Sequence, residues 1–503
     1  MNLKMLEREF WFGGYVHEGI NQPIGDNAYY EIDLRVNQSP NQAMPLFLST
    51  KGRYVWGENG FKITFNHGMI DIEGDVTIYE GFNNLKGAYV QAMQKHFPFK
   101  NSNLDLALFN NPIYNSWIEL TYNQNEQDIL NYAQTILDSG MPPGVLMIDD
   151  GWTDYYGHWV FSKGKFPNPK QMIDKLHDQG FHVMLWVSPY VTPDTLQFRE
   201  IRDLDLLIKT KEGKPFILEW WNGFSAVLDF TNPKTNEWMD EQLNKLMEFG
   251  VDGFKFDGGD SLFYAHDMVV FSEATPDEQS LLWAKFGEKY TFNEYRITAK
   301  AGGMSLLQRL ADKDHSWDVG GIPSLVPNSL LQGITGHPFC SPDMIGGGQY
   351  LNFIGLDDSA LDRELFIRHS EIACLMPAMQ FSANPSRILN KEEFSKVLNT
   401  IEIRKKYQPI IEQLVINAKE TGEPILRYMT YEFPEEPVEE ITDQFMLGSE
   451  ILVAPAAEKG IETRSVYLPK GSWYYNGQTV VSEGEYKTFP CALGDLIIIE
   501  QLK

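Results

Sequence analysis

The chain has 503 residues, 43% hydrophobic and 13% aromatic, enough for a large core and, on length alone, roughly three domains. Its 69 acidic residues outweigh 42 basic ones, and the formal charge of -27 argues against nucleic acid or an anionic membrane as partner, since both need basic patches. A neutral or cationic small ligand suits that balance better. In chain order, the first nine residues lack the apolar stretch of a secretory leader, and no segment reaches the length of a membrane span. Three scattered cysteines, Cys340, Cys374 and Cys491, have neither metal-ligand spacing nor a disulfide framework, so a reducing, cytoplasmic setting is expected.

Residues 1–108 read as an N-terminal β-sandwich. Residues 29–34 and 61–65 alternate as strands, and Glu58-Asn59-Gly60 and Asn66-His67-Gly68 punctuate them as turns. Over 109–408 the texture changes to strands alternating with helical stretches, which predicts a catalytic (β/α)8 barrel. Its expected strands are 145–148, 182–187, 226–230 and one through Phe254, and its expected helices 172–180 and 236–249. The stretches 192–222 and 260–295 read as long loops inserted at the active face. Residues 409–503 revert to short strands at 445–448, 451–455, 465–468 and 496–499, which predicts a second sandwich. The fold class is therefore α/β, a TIM barrel between two β-sandwich modules.

The most informative segment is Gly250-Val251-Asp252-Gly253-Phe254-Lys255-Phe256-Asp257-Gly258-Gly259-Asp260. Strand periodicity puts Lys255 and Asp257 on one side, and two glycines then turn the backbone with Asp257 at the lip. A carboxylate beside an ammonium at a strand's C-terminal end suits a barrel nucleophile; the plainer reading is a helix-capping aspartate. Asp149, Asp229, Asp257, Asp312 and Asp343 are the candidate carboxylates at strand ends. No His/Asp/Glu cluster has a zinc or magnesium signature and no glycine-rich loop has a phosphate-cradle context, so neither metal nor cofactor is expected. Two carboxyls with divided roles cleave a glycosidic bond without one.

These segments resemble glycoside hydrolase family 31, a family of retaining α-glycosidases, from about residue 110 onward. The nucleophile motif resembles Lys255-Phe256-Asp257-Gly258-Gly259-Asp260, and the acid/base motif resembles Asp312-Lys313-Asp314-His315-Ser316-Trp317. Gly336-His337-Pro338-Phe339 through Pro342-Asp343-Met344-Ile345-Gly346-Gly347 is similar to the next strand end, and Thr421-Gly422-Glu423-Pro424 to the start of the C-terminal module. The resemblance implies Asp257 as nucleophile and Asp312 as acid/base, with Asp314 and Asp318 as competitors for the latter role. It implies Asp149 or its neighbour Asp150 on sugar hydroxyls, Trp221 as a wall, Lys255 on the nucleophile and sugar, and Asp343 as a sugar contact. Arg309 offers a guanidinium to a carboxylate or a sugar hydroxyl, and Trp152 is expected beside Asp149 at the sugar's O4. Trp186 is read either as a site residue or as barrel packing, and His177 as structural.

Two departures stand out. Where many members carry an arginine and a histidine at the last strand end, this chain has Pro377-Ala378-Met379-Gln380-Phe381-Ser382. Asp149-Asp150-Gly151-Trp152 resembles the first strand end of α-galactosidases in a neighbouring clan. Both features resemble the subgroup related to the myogenesis-regulating glycosidase, which implies α-galactoside substrates. The N-terminal module is also short, which removes aglycone contacts from the expectation. The expected activity is a retaining α-glycosidase acting on a small oligosaccharide or α-glycoside through a covalent glycosyl-enzyme. An α-glucosidase, an α-xylosidase or a catalytically silent sugar-binding homologue is the alternative, and self-association is left open.

Overall fold

The computed structural model describes residues 1–264 and 266–502. Eight parallel staves build the central barrel: β1 (Ile113–Asn115), β2 (Val145–Ile148), β3 (His182–Val187), β4 (Gly253–Phe256), β5 (Phe292–Tyr295), β6 (Leu307–Arg309), β7 (Cys340–Ser341 and Met344–Ile345) and β8 (Gln380–Phe381). The staves pair in that order, and β8 returns to β1 with Gln380 opposite Ile113. Stave β7 is split because Pro342 donates no N–H and Asp343 turns the chain at φ 80. Its first half pairs with β6 and its second with β8, which closes the barrel. Staves β2 and β3 are buried on both faces. Their near-continuous apolar sequences, Val-Leu-Met-Ile and His-Val-Met-Leu-Trp-Val, follow from that.

Several expectations shift. Residues 226–230 are not a stave; Gly223–Val227 pairs with Ile217–Trp220 and Tyr190–Val191 in a small antiparallel sheet on the loop after β3. The stretch 260–295 is not one long loop, since it holds the helix Pro276–Gly287, capped by the Thr275/Glu278 box, and then all of β5. Two buried polar residues, Asn293 and the inward-facing Glu294, had hidden that stave.

Two four-stranded antiparallel sheets form the N-terminal sandwich around Trp11, Phe47, Phe61 and Phe65. A six-stranded and a two-stranded sheet form the C-terminal module around Leu452, Trp473, Phe489 and Ile499. The expected boundary at 408 falls inside one helix, Lys391–Thr421, which starts at the Asn390/Glu393 capping box and stops at Gly422 in the left-handed region, φ 71. All three cysteines are buried and unpaired. Among the described residues no helix is long and apolar enough to cross a membrane.

Candidate active site

The C-terminal ends of the staves converge on a cavity of about 360 Å³. That face is where barrels carry their chemistry. Asp257 sits at its centre. The backbone turns immediately after β4 through Gly258 and Gly259, both left-handed at φ 70 and 75. A side chain at either glycine is excluded, because a Cβ would meet Tyr190 at 2.6 Å or Trp283 at 2.5 Å. The turn aims the Asp257 carboxyl into the cavity, where three N–H groups fix it. Trp186 Nε1 donates to Oδ2 at 3.1 Å, and Arg296 Nε and the Gly258 amide donate to Oδ1 at 3.0 and 2.8 Å. Burial acts to raise its pKa, but Arg296, Lys255 and the Trp186 N–H outweigh it and hold the carboxyl well below the usual range.

Arg296, at the end of β5, also grips Asp260 through Nη2 at 2.9 Å and is covered by the Trp221 ring at 5.2 Å. The N-terminal module steadies it: Arg296 Nη1 donates to Pro40 O at 2.9 Å, and Gln42 Nε2 donates to the Arg296 carbonyl at 2.7 Å. His17 and Pro40 of that module line the cavity, so the short N-terminal module supplies part of its wall.

Lys255 does not touch Asp257. Its ammonium pairs with Asp149 Oδ2 at 2.6 Å, both side chains buried. These two come from β4 and β2, alternate staves that fill one layer of a barrel interior. Asp150 lies beside them, among the described residues with no cation of its own, and burial together with the charge of Asp149 pushes it up to about 7. Tyr156 OH and Asn222 Nδ2 donate to its Oδ2 at 3.0 and 2.7 Å.

At the opposite side Asp312 projects from the loop after β6, its side chain 36% exposed. Arg309 Nη1 donates to it at 2.8 Å and to the fully buried Asp343 at 2.6 Å. Asp343 also accepts from the Lys313 and Gly348 amides at 2.7 and 2.9 Å, and burial raises its pKa. Glu294, buried behind, lies 3.4 Å from Arg309 Nε and accepts from Gln380 Nε2 at 2.6 Å. A Cβ on Gly348 would stand 2.9 Å from Asp312 Oδ1, so the acid/base candidate depends on that glycine for room.

Most of the expected site residues meet in this cavity: Asp149, Asp150, Trp186, Trp221, Lys255, Asp257, Arg309 and Asp312 line it. Asp314 and Asp318 do not; they close the turn that follows, the Asp314 amide on Gly320 O and Asp318 Oδ1 on Ser316 Oγ. Two expectations need correction. Trp152 is 1% exposed and packs behind Trp186, donating to its carbonyl at 2.8 Å, so it cannot meet a sugar's O4. Asp343 is likewise behind the wall and reaches the cavity only through Arg309. Asp229, another strand-end candidate, is spent on Thr231 and the Phe271 amide. His177 is structural as expected, bonded to Asp252 at 2.9 Å.

The sequence reading missed Arg296 and the aromatic wall of Trp117, Tyr122 and Tyr350, whose rings meet edge to face at 5.1, 5.4 and 6.2 Å. The charged pair Glu294 and Arg296, two apart at a stave end, was the available signal for Arg296. At the end of β8 Ser382 Oγ accepts from the Ile118 amide at 2.7 Å, so neither it nor Gln380 faces the cavity. Among the described residues no group of three His, Cys, Asp or Glu side chains is set to hold a metal ion.

Residues 114–305 match the TIM-barrel domain of glycosyl hydrolases family 31, and residues 422–497 match the C-terminal domain of the same family. Myogenesis-regulating glycosidase of Mus musculus is 34% identical over 380 residues, 74% of this chain and 53% of that protein. Alpha-glucosidase 2 of Bacillus thermoamyloliquefaciens is 26% identical over 419 residues, 75% of this chain and 51% of that protein. The chain thus spans about half the length of these curated relatives. Among solved structures, the Flavobacterium johnsoniae family 31 dextranase with isomaltotriose superposes with a TM-score of 0.85 at 20% identity, covering 100% of this chain and 66% of that one, which is a likeness of fold.

Proposed function

Because the chain belongs to glycoside hydrolase family 31, we propose that it is a retaining α-glycosidase that removes a terminal α-linked hexose, with α-galactosides preferred. The observation that carries the reading is the pairing, across one cavity, of a carboxylate held ionised with a carboxyl that is exposed. Asp257 attacks the anomeric carbon as the glycosidic C–O bond breaks, and Asp312 gives its proton to the leaving oxygen. Asp312 then takes a proton from water, whose oxygen attacks the same carbon and frees Asp257. Arg309 divides its guanidinium between Asp312 and Asp343.

A cavity near the lower end of the about 300–1,000 Å³ range of ligand sites suits one ring and its leaving group, hence a terminal sugar. Galactose differs from glucose in an axial O4, and that epimer leaves one ring face apolar. The Trp117–Tyr122–Tyr350 wall offers a stacking surface for such a face, and Asp149, Asp150 and Lys255 offer hydroxyl partners. Gln380 and Ser382 are occupied elsewhere, which supports a sugar contact unlike the usual one of the family.

A panel of p-nitrophenyl α-glycosides tests the reading. The galactoside should be cleaved at least about tenfold better in kcat/KM than the glucoside, a gap of about 1.4 kcal/mol. A preference for glucoside or xyloside removes galactose from the reading and leaves the mechanism. Binding without turnover of any glycoside marks a silent homologue.

A further inference from the structure

The small sheet on the loop after β3 brings to the cavity a residue that no stave supplies. The strands Ile217–Trp220 and Gly223–Val227 are joined by a tight turn, with Trp221 and Asn222 at its tip. Trp221, 49% exposed, covers Arg296, the clamp on Asp257. Its neighbour Asn222 turns the other way, toward the deep end.

Every polar atom of the Asn222 amide is used. Nδ2 donates one hydrogen to Asp150 Oδ2 at 2.7 Å and one to Tyr156 OH at 2.8 Å, while Oδ1 accepts from Tyr122 OH at 2.7 Å. Tyr156 OH itself donates to Asp150 Oδ2 at 3.0 Å, so it can only accept from Asn222. That chain of donors fixes which way round the amide stands. It also fixes Asp150. Among the described residues both side-chain donors fall on Oδ2, which must therefore act as an acceptor, and Oδ1 is the oxygen left for the cavity. Asp150 and Tyr122 both line the cavity, and this amide ties their two side chains together.

We propose that Asn222 is a positioning residue for sugar specificity: it pins Asp150 and Tyr122 so that Asp150 Oδ1 meets one hydroxyl of the bound ring beside the tyrosine's face. The inference rests on the glycosidase reading of the cavity but not on which hexose is preferred. The hairpin thereby becomes the specificity element, since one turn of chain touches both the nucleophile's clamp and the hydroxyl-recognising carboxyl. Substrate and transition state keep the same hydroxyl at this end, so loss of Asn222 weakens binding in both and spares the chemical step.

The test measures two variants, Asn222→Ala and the isosteric Asn222→Asp, which has no amide hydrogens to donate. Calorimetry gives the Kd of the free monosaccharide that wild type binds best. Steady-state kinetics use its p-nitrophenyl α-glycoside and the set of monodeoxy analogues. Both variants should raise Kd and KM about tenfold while kcat stays within about twofold. The loss should vanish for one deoxy analogue, the one lacking the hydroxyl that Asp150 serves. An equal loss on every analogue, a fall in kcat at constant KM, or no change would overturn the inference. If Asn222→Ala does not fold, Asn222→Asp decides on the same readouts. Wild type that cleaves none of the glycosides sinks the glycosidase reading instead, while the Kd series with free sugars still judges Asn222.

Discussion

The two catalytic candidates occupy opposite kinds of environment. Asp257 takes three N–H groups from three different segments, one of them the guanidinium of Arg296. Asp312 projects from a loop, its side chain 36% exposed, and shares one arginine with Asp343. A nucleophile must stay ionised and must not move, so it is built into the barrel wall and surrounded by donors. An acid/base must lose and regain a proton in each cycle and so needs solvent and looser ties. The contrast suits the roles proposed for the two residues.

The harshest way to break that contrast is Asp257→Asn. The amide neither attacks nor carries charge opposite the transition state, so kcat should fall by several orders of magnitude while the melting temperature holds. Retention of more than about a tenth of wild-type activity would rule the residue out as nucleophile. Asp312→Ala should do its damage selectively. A natural disaccharide, with a poor leaving group, should lose far more rate than an activated aryl or fluoride glycoside; equal losses would shift the role to Asp314 or Asp318.

A smaller effect separates the deep end from the nucleophile end by pH. Asp150 is raised to about 7 in the fold, whereas an unfolded aspartate ionises near about 4. The folded chain therefore keeps a proton that the unfolded chain has lost. This stability is fully present below about pH 4 and is lost as pH rises through about 7. Asp150→Asn never ionises. Its melting temperature relative to wild type should climb between pH 5 and 8, and a flat difference would contradict the raised value. The least effect is expected of Trp152→Phe, which removes the N–H on the Trp186 carbonyl. It should cost about 1–3 kcal/mol of stability and leave KM for the glycoside unchanged. A rise in KM would return Trp152 to the sugar site.

What the sequence alone determined was local. Alternation of apolar strands with helices specified the barrel, and Phe256-Asp257-Gly258-Gly259 specified a carboxylate on a lip, because glycines readily accept the two left-handed turns that follow. Asp149, Lys255 and Asp312 were legible for the same reason, each being an ionisable residue at the end of an apolar run or within a short motif. The tertiary structure decided what those residues touch. Lys255 pairs with Asp149 and not with Asp257 because alternate staves share a layer. Trp152 faces away from the cavity and Trp186 into it, although the two are neighbours joined by a hydrogen bond. Arg296 lay hidden at the end of a stave that carries two buried polar residues. The aromatic wall joins Trp117, Tyr122 and Tyr350, and Pro40 and Asn222 arrive from outside the barrel altogether. Periodicity and turn chemistry act over a few residues, whereas the direction a side chain faces and the segments it meets are fixed only when β8 closes on β1.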